Sequence, residues 1–353
     1  MQRIVDRLIE NHDLPSEEML ILLQGILKPE NKSEKQKLHD AANMLRERVF
    51  GNSIFKRGLI EISNRCKNDC YYCGIRRSNS SLERYRMSKD EILEACKLGN
   101  SLGFRTFVLQ SGEDSHFTEE LLEEIIVSIK GLYPNCAITL SLGENGPDFY
   151  QKCFDAGADR YLLRHEAADE SLYKSVHPQN QTINNRKKCL ESLAKIGYQV
   201  GTGFMVGLPG QTAANLVADL EFIKEINPAM VGIGPFISHK NTPFGDAKNG
   251  DVEMTLVLIS IIRLLLPSAL IPSTTALGTV AEKGREMGIL AGANVVMPNL
   301  TPMKYRKLYA LYDNKISTGE ETAEGVEMLA ENLKKIGCEL VDDKGDYKNI
   351  MVN

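Results

Sequence analysis

From residue 57 onward the chain alternates between short apolar runs of strand length and longer amphipathic stretches. The runs are 58–63, 105–110, 136–141, 159–164, 199–205, 229–234, 269–274 and 293–297. Between them, apolar residues recur at helical spacing, as in Ser88 to Leu102, Thr118 to Gly131, Asn185 to Gly197 and Thr212 to Ile226. Ser88, Thr118 and Thr212 stand where N-caps belong, and Gly103, Gly131 and Gly197 stand where helices end. Eight strand–helix units predict parallel strands joined by right-handed crossovers, an α/β fold of the (βα)8 TIM-type barrel class.

The ends of the chain depart from this alternation. Ile4, Leu8 and Ile9, then Met19 to Ile26 after a capping-box pattern at Ser16, then Glu34 to Phe50, follow a helical period. Residues 1–50 are therefore predicted as an N-terminal helical extension and 51–317 as the barrel. Residues 318–353, charged and without the alternation, are predicted as a C-terminal appendage.

Composition narrows the partners. The net charge of −5 and basic runs of at most three residues argue against a nucleic-acid surface. The apolar stretch Leu256 to Pro272 is interrupted by Arg263 and Pro267 and is too short to span a bilayer. The amino terminus carries acids and an amphipathic period, unlike a signal or transit peptide, so a cytoplasmic protein is expected. Cys96, Cys136, Cys153 and Cys189 lie in apolar contexts expected of buried, reduced thiols.

Chemistry enters with Cys66-Lys-Asn-Asp-Cys70-Tyr-Tyr-Cys73, directly after the first barrel strand. Three thiolates at this spacing can hold three irons of a [4Fe–4S] cubane and leave the fourth open to a substrate or cofactor. Zinc would need a fourth Cys or His, and residues 64–80 offer none. An open iron also implies anaerobic or microaerobic conditions. In a barrel, the carboxyl ends of the strands carry the chemistry. Gln110 to Glu113, Thr139 to Ser141 and Arg160 to Glu166 all fall at strand exits, as do Thr274, Thr275, Met297 and Tyr305. Alternation sends Arg160 and Arg164 to one face, where two inward arginines call for an anion or carboxylate; a structural salt bridge is the competing reading.

The spacing Cys-x3-Cys-x2-Cys resembles the radical S-adenosylmethionine (SAM) superfamily, in which SAM chelates the open iron and is cleaved to a 5′-deoxyadenosyl radical. Longer motifs narrow the resemblance: Arg84-Tyr-Arg-Met, Val108 to Asp114, Leu140 to Glu144, Ala158 to Glu166, Met205 to Thr212, Met230 to Phe236 and Asn294 to Asn299. Together they resemble the HydE family of [FeFe]-hydrogenase maturases over about residues 50 to 317. That resemblance implies assembly of the dithiomethylamine-bridged diiron subcluster of the H-cluster. It also implies HydG and HydF maturases as partners, a small-molecule or organometallic substrate, and ferredoxin or flavodoxin as electron donor.

By the same carry-over Cys66, Cys70 and Cys73 hold the cluster, and Tyr72, Ser111, Glu113, Ser141, Glu166, Arg186 and Met230 contact SAM. Thr139, Arg160, Arg164, Thr274, Thr275, Met297 and Tyr305 line the substrate cavity, with Arg164 and Tyr305 as catalytic candidates. Some relatives carry three further cysteines for a second cluster. Here Lys315 to Glu324 has none, and Ser317 stands where one occurs, so one cluster is expected. A methylornithine synthase-like mutase is the alternative. Biotin synthase fits worse, because Cys153 and Cys189 fall in helical stretches and Cys136 at the wrong end of its strand.

Overall fold

The structure, a computed structural model, describes residues 1–316 and 322–349. Three helices come first: α1 (Gln2–Asn11), α2 (Ser16–Gly25) and α3 (Lys32–Phe50). The barrel units follow as β1 (Ser53–Lys56), β2 (Gly58–Ser63), α4 (Lys89–Ser101), β3 (Thr106–Ser111), α5 (Glu119–Leu132), β4 (Ala137–Ser141), α6 (Pro147–Asp155) and β5 (Arg160–Leu162). Next come α7 (Glu170–Val176), α8 (Ile183–Ile196), β6 (Gln199–Thr202), β7 (Met205–Val206), α9 (Ala213–Ile226), β8 (Met230–Val231), β9 (Gly234–Pro235) and α10 (Val252–Leu265). The chain closes with α11 (Thr275–Val280), α12 (Gly284–Leu290), β10 (Val295–Val296), α13 (Met303–Arg306), α14 (Val326–Lys335) and β11 (Glu339–Val341).

Six parallel strands hydrogen-bond in the order β2-β3-β4-β5-β6-β8. The ring then continues through single bridges, Met230 to Leu270, Pro272 to Val295, and Asn299 back to Leu59. This is the expected TIM-type barrel, with one stave thinner than its apolar pattern suggests. The run 269–274 makes bridges and no strand, because Pro272 has no N–H to donate to the ladder. Outside the ring, β1 pairs in parallel with both β10 and β11, an annex that alternation does not reveal.

The helix caps follow the sequence closely. Ser88 closes a full capping box with Glu91, and the Thr118 and Thr212 hydroxyls accept from N–H groups three residues on. Gly197 ends α8 in the left-handed region. Ser16 and Gly131 differ: the Ser16 hydroxyl donates to Glu221 instead of capping, and Gly131 lies inside α5.

Helix α10 is buried on every side from Thr255 to Leu265, because it lies between the barrel and α3. That position explains why its sequence is apolar all round. Arg263 remains satisfied within it by donating to the carbonyls of Gly292 and Pro267 and to Asn294, with its guanidinium over the Phe50 ring. Burial, then the nearby Arg46 charge, lowers its pKa to about 9. Among the described residues, no helix is long and apolar enough to cross a membrane.

Candidate active site

The loop after β2 is fixed by one arginine. Arg84 Nη1 donates to the carbonyls of Asn64 and Ile75 at 2.6 and 2.8 Å, and Nη2 to those of Arg76 and Asn79 at 2.6 and 3.1 Å. Only a planar fork of donors reaches four carbonyls on opposite sides of a loop. Asp69 adds a bidentate pair with Arg76 at 2.8 and 2.6 Å, which holds the Asp69 carboxyl well below its ordinary pKa. From the far side, Gly112 lets β3 approach the loop. A Cβ there would lie 2.3 Å from the Arg65 carbonyl oxygen and 2.7 Å from Cys66 Cβ.

This scaffolding turns Cys66, Cys70 and Cys73 toward one cavity of about 270 Å³ at the carboxyl ends of the strands. Burial, then the neighbouring Cys73 and Cys66 sulfurs, push the Cys70 thiol well above its ordinary pKa; burial and Cys66 push Cys73 to about 12. Thiols gathered this closely in a dry site ionise when a cationic metal group receives them. Among the described residues no three Cys, His, Asp or Glu side chains close around a single ion, whereas a cubane spreads its cysteines over separate irons. The donor set fits a cluster held by three cysteines.

Around the sulfurs, buried polar groups stand without hydrogen-bond partners. Arg164 Nη2 and Glu166 Oε2 are 3.2 Å apart, but their alignment makes no hydrogen bond. Both atoms are buried, as are Arg164 Nε and the Thr274 hydroxyl, and all of these residues line the cavity. A buried donor or acceptor left without a partner costs stability unless a ligand completes it. A zwitterionic, hydroxyl-bearing molecule such as SAM offers complementary groups of both kinds.

Other side chains in the wall are held firmly. Glu113 accepts the Glu144 N–H at 2.9 Å and pairs with Lys67 at 3.2 Å, while its own N–H approaches Cys66 Sγ at 3.4 Å. Arg186 grips Glu144 at 2.5 Å and the Arg164 carbonyl at 2.8 Å. Burial opposes its charge, yet surrounding groups including Glu144 and Glu113 raise its pKa. Tyr72 places its hydroxyl 2.9 Å from His177 Nε2, and His177 Nδ1 donates to the Tyr173 carbonyl at 3.0 Å. Burial, then the Arg186 charge, lowers the His177 pKa to about 3, so the ring is neutral and its Nε2 accepts from Tyr72.

Of the residues expected from sequence, Cys66, Cys70, Cys73, Tyr72, Ser111, Glu113, Ser141, Arg164, Glu166, Arg186 and Thr274 meet in this cavity. Six placements are corrected. Arg160 lies at the opposite end of the barrel, fully enclosed, donating to Gln199, Thr106, the carbonyls of Lys344 and Gly345, and Asp346. It shares a face with Arg164, but four residues of strand set them roughly 13 Å apart. Thr139 pairs with Arg160 in the sheet and is buried beside it. Met230 and Met297 pack in an apolar cluster with Leu270 and Val295, where the Met230 sulfur accepts from Arg57.

Tyr305 faces outward, stacked on Tyr85 at 4.4 Å and bonded to Glu91 at 3.0 Å, because α13 turns it toward α4. Thr275 begins α11 and does not line the cavity, although its neighbour Thr274 does. Ser317 lies outside the described residues. Two residues that sequence reasoning missed do face the cysteines. Tyr309 lines the cavity within hydrogen-bond reach of Gln110 at 3.3 Å, and Gln181 accepts from Cys70 Sγ at 3.3 Å. The signal for Tyr309 was slight, an aromatic four residues beyond Tyr305, and the structure places it past the end of α13.

Comparison with known proteins agrees with this geometry. Residues 60–223 match the Radical SAM superfamily. The chain is 42% identical to the [FeFe] hydrogenase maturase subunit HydE of Thermotoga maritima, over 93% of this chain and 94% of that protein. It is 28% identical to the 3-methylornithine synthase of Methanosarcina acetivorans, over 96% and 94%. Among solved structures it resembles methylornithine synthase (TM-score 0.83, 26% identity, covering 96% and 97%). The fold also matches the maturase HydG of Carboxydothermus hydrogenoformans (TM-score 0.79, 20% identity, covering 95% and 78%).

Proposed function

Because the chain belongs to the radical SAM superfamily and, within it, to the HydE family, we propose that it acts in maturation of an [FeFe]-hydrogenase. It is a radical SAM enzyme using one [4Fe–4S] cluster and SAM. The specific task proposed is assembly of the dithiomethylamine-bridged diiron subcluster, on a small-molecule or organometallic substrate, in concert with HydG and HydF maturases. Reduced ferredoxin or flavodoxin is the proposed electron source. The observation that carries the reading is the single cavity in which three cysteines meet the unpartnered polar atoms of Arg164, Glu166 and Thr274.

When bound, the cluster and SAM supply a reductively generated 5′-deoxyadenosyl radical. The chain's own residues do the rest in this reading. Cys66, Cys70 and Cys73 hold the cluster, and the Arg84 fork keeps their loop closed. Glu113, Glu166 and Arg186 orient SAM, and Tyr72 forms the wall behind the sulfurs. Arg164 offers a fixed pair of donors to an anionic substrate group. The apolar lining of Leu162, Met205, Phe236 and Ile237 excludes water from the reacting space.

The test is an anaerobic maturation mixture of [FeFe]-hydrogenase precursor lacking only the diiron subcluster, HydG and HydF maturases, SAM and reductant. Adding this protein should start hydrogen evolution. No evolution, together with conversion of lysine to 3-methylornithine by the same preparation, would favour the mutase reading instead.

A further inference from the structure

Glu166 is one of few residues other than glycine with a left-handed backbone, at φ 66°. A non-glycine residue rests there only when its surroundings over-determine it, and such strain gathers at functional sites. Its main chain is tied to the next strand exit on both sides: its N–H donates to the Gly203 carbonyl at 3.0 Å, and its carbonyl accepts from Met205 at 3.3 Å. Those two bonds fix the peptide's height, and the Ala167 N–H closes the turn locally on the His165 carbonyl at 2.8 Å; the tilt of that turn is set by what lies beneath it.

Beneath the turn lies a fully buried polar pair outside the cavity. His165 and Asp219 both have no solvent exposure. Asp219 Oδ1 accepts from His165 Nε2 at 3.2 Å and from the Ala168 N–H at 2.6 Å, so one carboxylate oxygen grips the chain on both sides of Glu166. His165 Nδ1 meets the Thr202 hydroxyl at 2.9 Å, and its ring lies between Phe204 and Phe222. Burying a carboxylate in apolar surroundings is costly, and a pair of hydrophobic residues of equal volume would serve packing as well or better. The polar pair does something packing alone does not: it dictates the direction in which the 165–168 turn projects its one cavity-facing side chain.

We propose that Asp219, acting through His165 and the Ala168 N–H, is a positioning residue that aims the Glu166 carboxylate at bound SAM. The inference rests on the reading of Glu166 as a SAM contact and adds a residue on a surrounding helix to the machinery. Its signature is a loss of SAM affinity without loss of the cluster, transmitted entirely through Glu166.

The experiment is a double-mutant cycle on the reconstituted protein, reading SAM affinity by anaerobic equilibrium dialysis, iron content, and amide exchange of the 163–169 segment before SAM is added. Asp219→Ala should weaken SAM binding about tenfold, speed amide exchange in the segment and leave iron content unchanged. Asp219→Asn, which keeps an acceptor for Ala168, should recover most of the affinity. Asp219→Ala combined with Glu166→Gln should bind no more weakly than Glu166→Gln alone. Should Asp219→Ala fail to fold, His165→Asn takes its place under the same criteria. Unchanged affinity in the Asp219 or His165 variant, or losses that add to that of Glu166→Gln, would overturn the positioning role alone. Unchanged affinity in Glu166→Gln itself would overturn the SAM-contact reading, and the inference with it.

Discussion

Arg160 and Asp346, 186 residues apart in sequence, form a 2.7 Å ion pair that seals the barrel at the end opposite the cysteines. Arg160 is enclosed, while Asp346 keeps over a third of its surface. Replacing Asp346 by Ala leaves the guanidinium its carbonyl and side-chain partners but removes its directly paired carboxylate. A loss of about 1–2 kcal/mol is expected, below the cost of breaking a wholly buried pair. Urea unfolding should show it, and SAM affinity should stay as in the parent, because the pair lies far from the cavity. Weakened SAM binding at unchanged stability would contradict the placement of Arg160.

The Arg84 fork makes a sharper demand. Arg84→Lys keeps the charge but offers a point donor where four carbonyls need a plane. The cluster loop should loosen, and iron retained after anaerobic desalting should fall at least severalfold while the helical circular dichroism persists. Full iron retention would show that the loop closes without the fork.

His177 predicts a pH effect with a definite sign. Its folded pKa, about 3, lies below its ordinary 6.5, so the unfolded chain binds the proton first as pH falls. The stability it contributes is complete above pH 6.5 and is lost progressively as pH falls from 6.5 toward 3. The slope is at most about 1.4 kcal/mol per pH unit. Metal-free protein should therefore lose more stability between pH 7 and 5 than its His177→Asn variant. Parallel curves would mean that the ring is solvated.

How far the chain could be read in advance depended on the scale of the signal. Strand alternation located the ring, and the capping residues of α4, α5 and α9 located helix starts, because both are local effects. Alternation also assigned Arg160 and Arg164 to one face. Height along the barrel axis was legible too, in the strand bounds 159–164 and the rise per residue, and it is this that sets one arginine at the cysteines and the other at the C-terminal segment. Tyr305 and Tyr309 were separable only once α13 was seen to end at Arg306, which leaves Tyr305 on the helix against α4 and Tyr309 on the segment beyond it, at the cavity. The closing contacts of residues 344–346 join segments far apart in sequence, and their charged, aperiodic composition gave no hint of a buried partner.

Metal content tests the single-cluster reading. Cys96, Cys136, Cys153, Cys189 and Cys338 are buried and free, placed in cores and not around the cavity. Reconstitution should give about four irons per chain, as one cubane requires. Reproducible binding of about eight by the parent, with about four retained when Cys66, Cys70 and Cys73 are replaced by Ala, would reveal a second site.

The central claim is that the three cysteines of this loop support reductive cleavage of SAM. Anaerobic incubation of the reconstituted protein with SAM and dithionite, followed by chromatography, measures 5′-deoxyadenosine directly. The parent protein should form it, and Cys70→Ala should form none above the protein-free background, since no neighbouring group can replace the lost thiolate. Undiminished 5′-deoxyadenosine from Cys70→Ala would contradict the account.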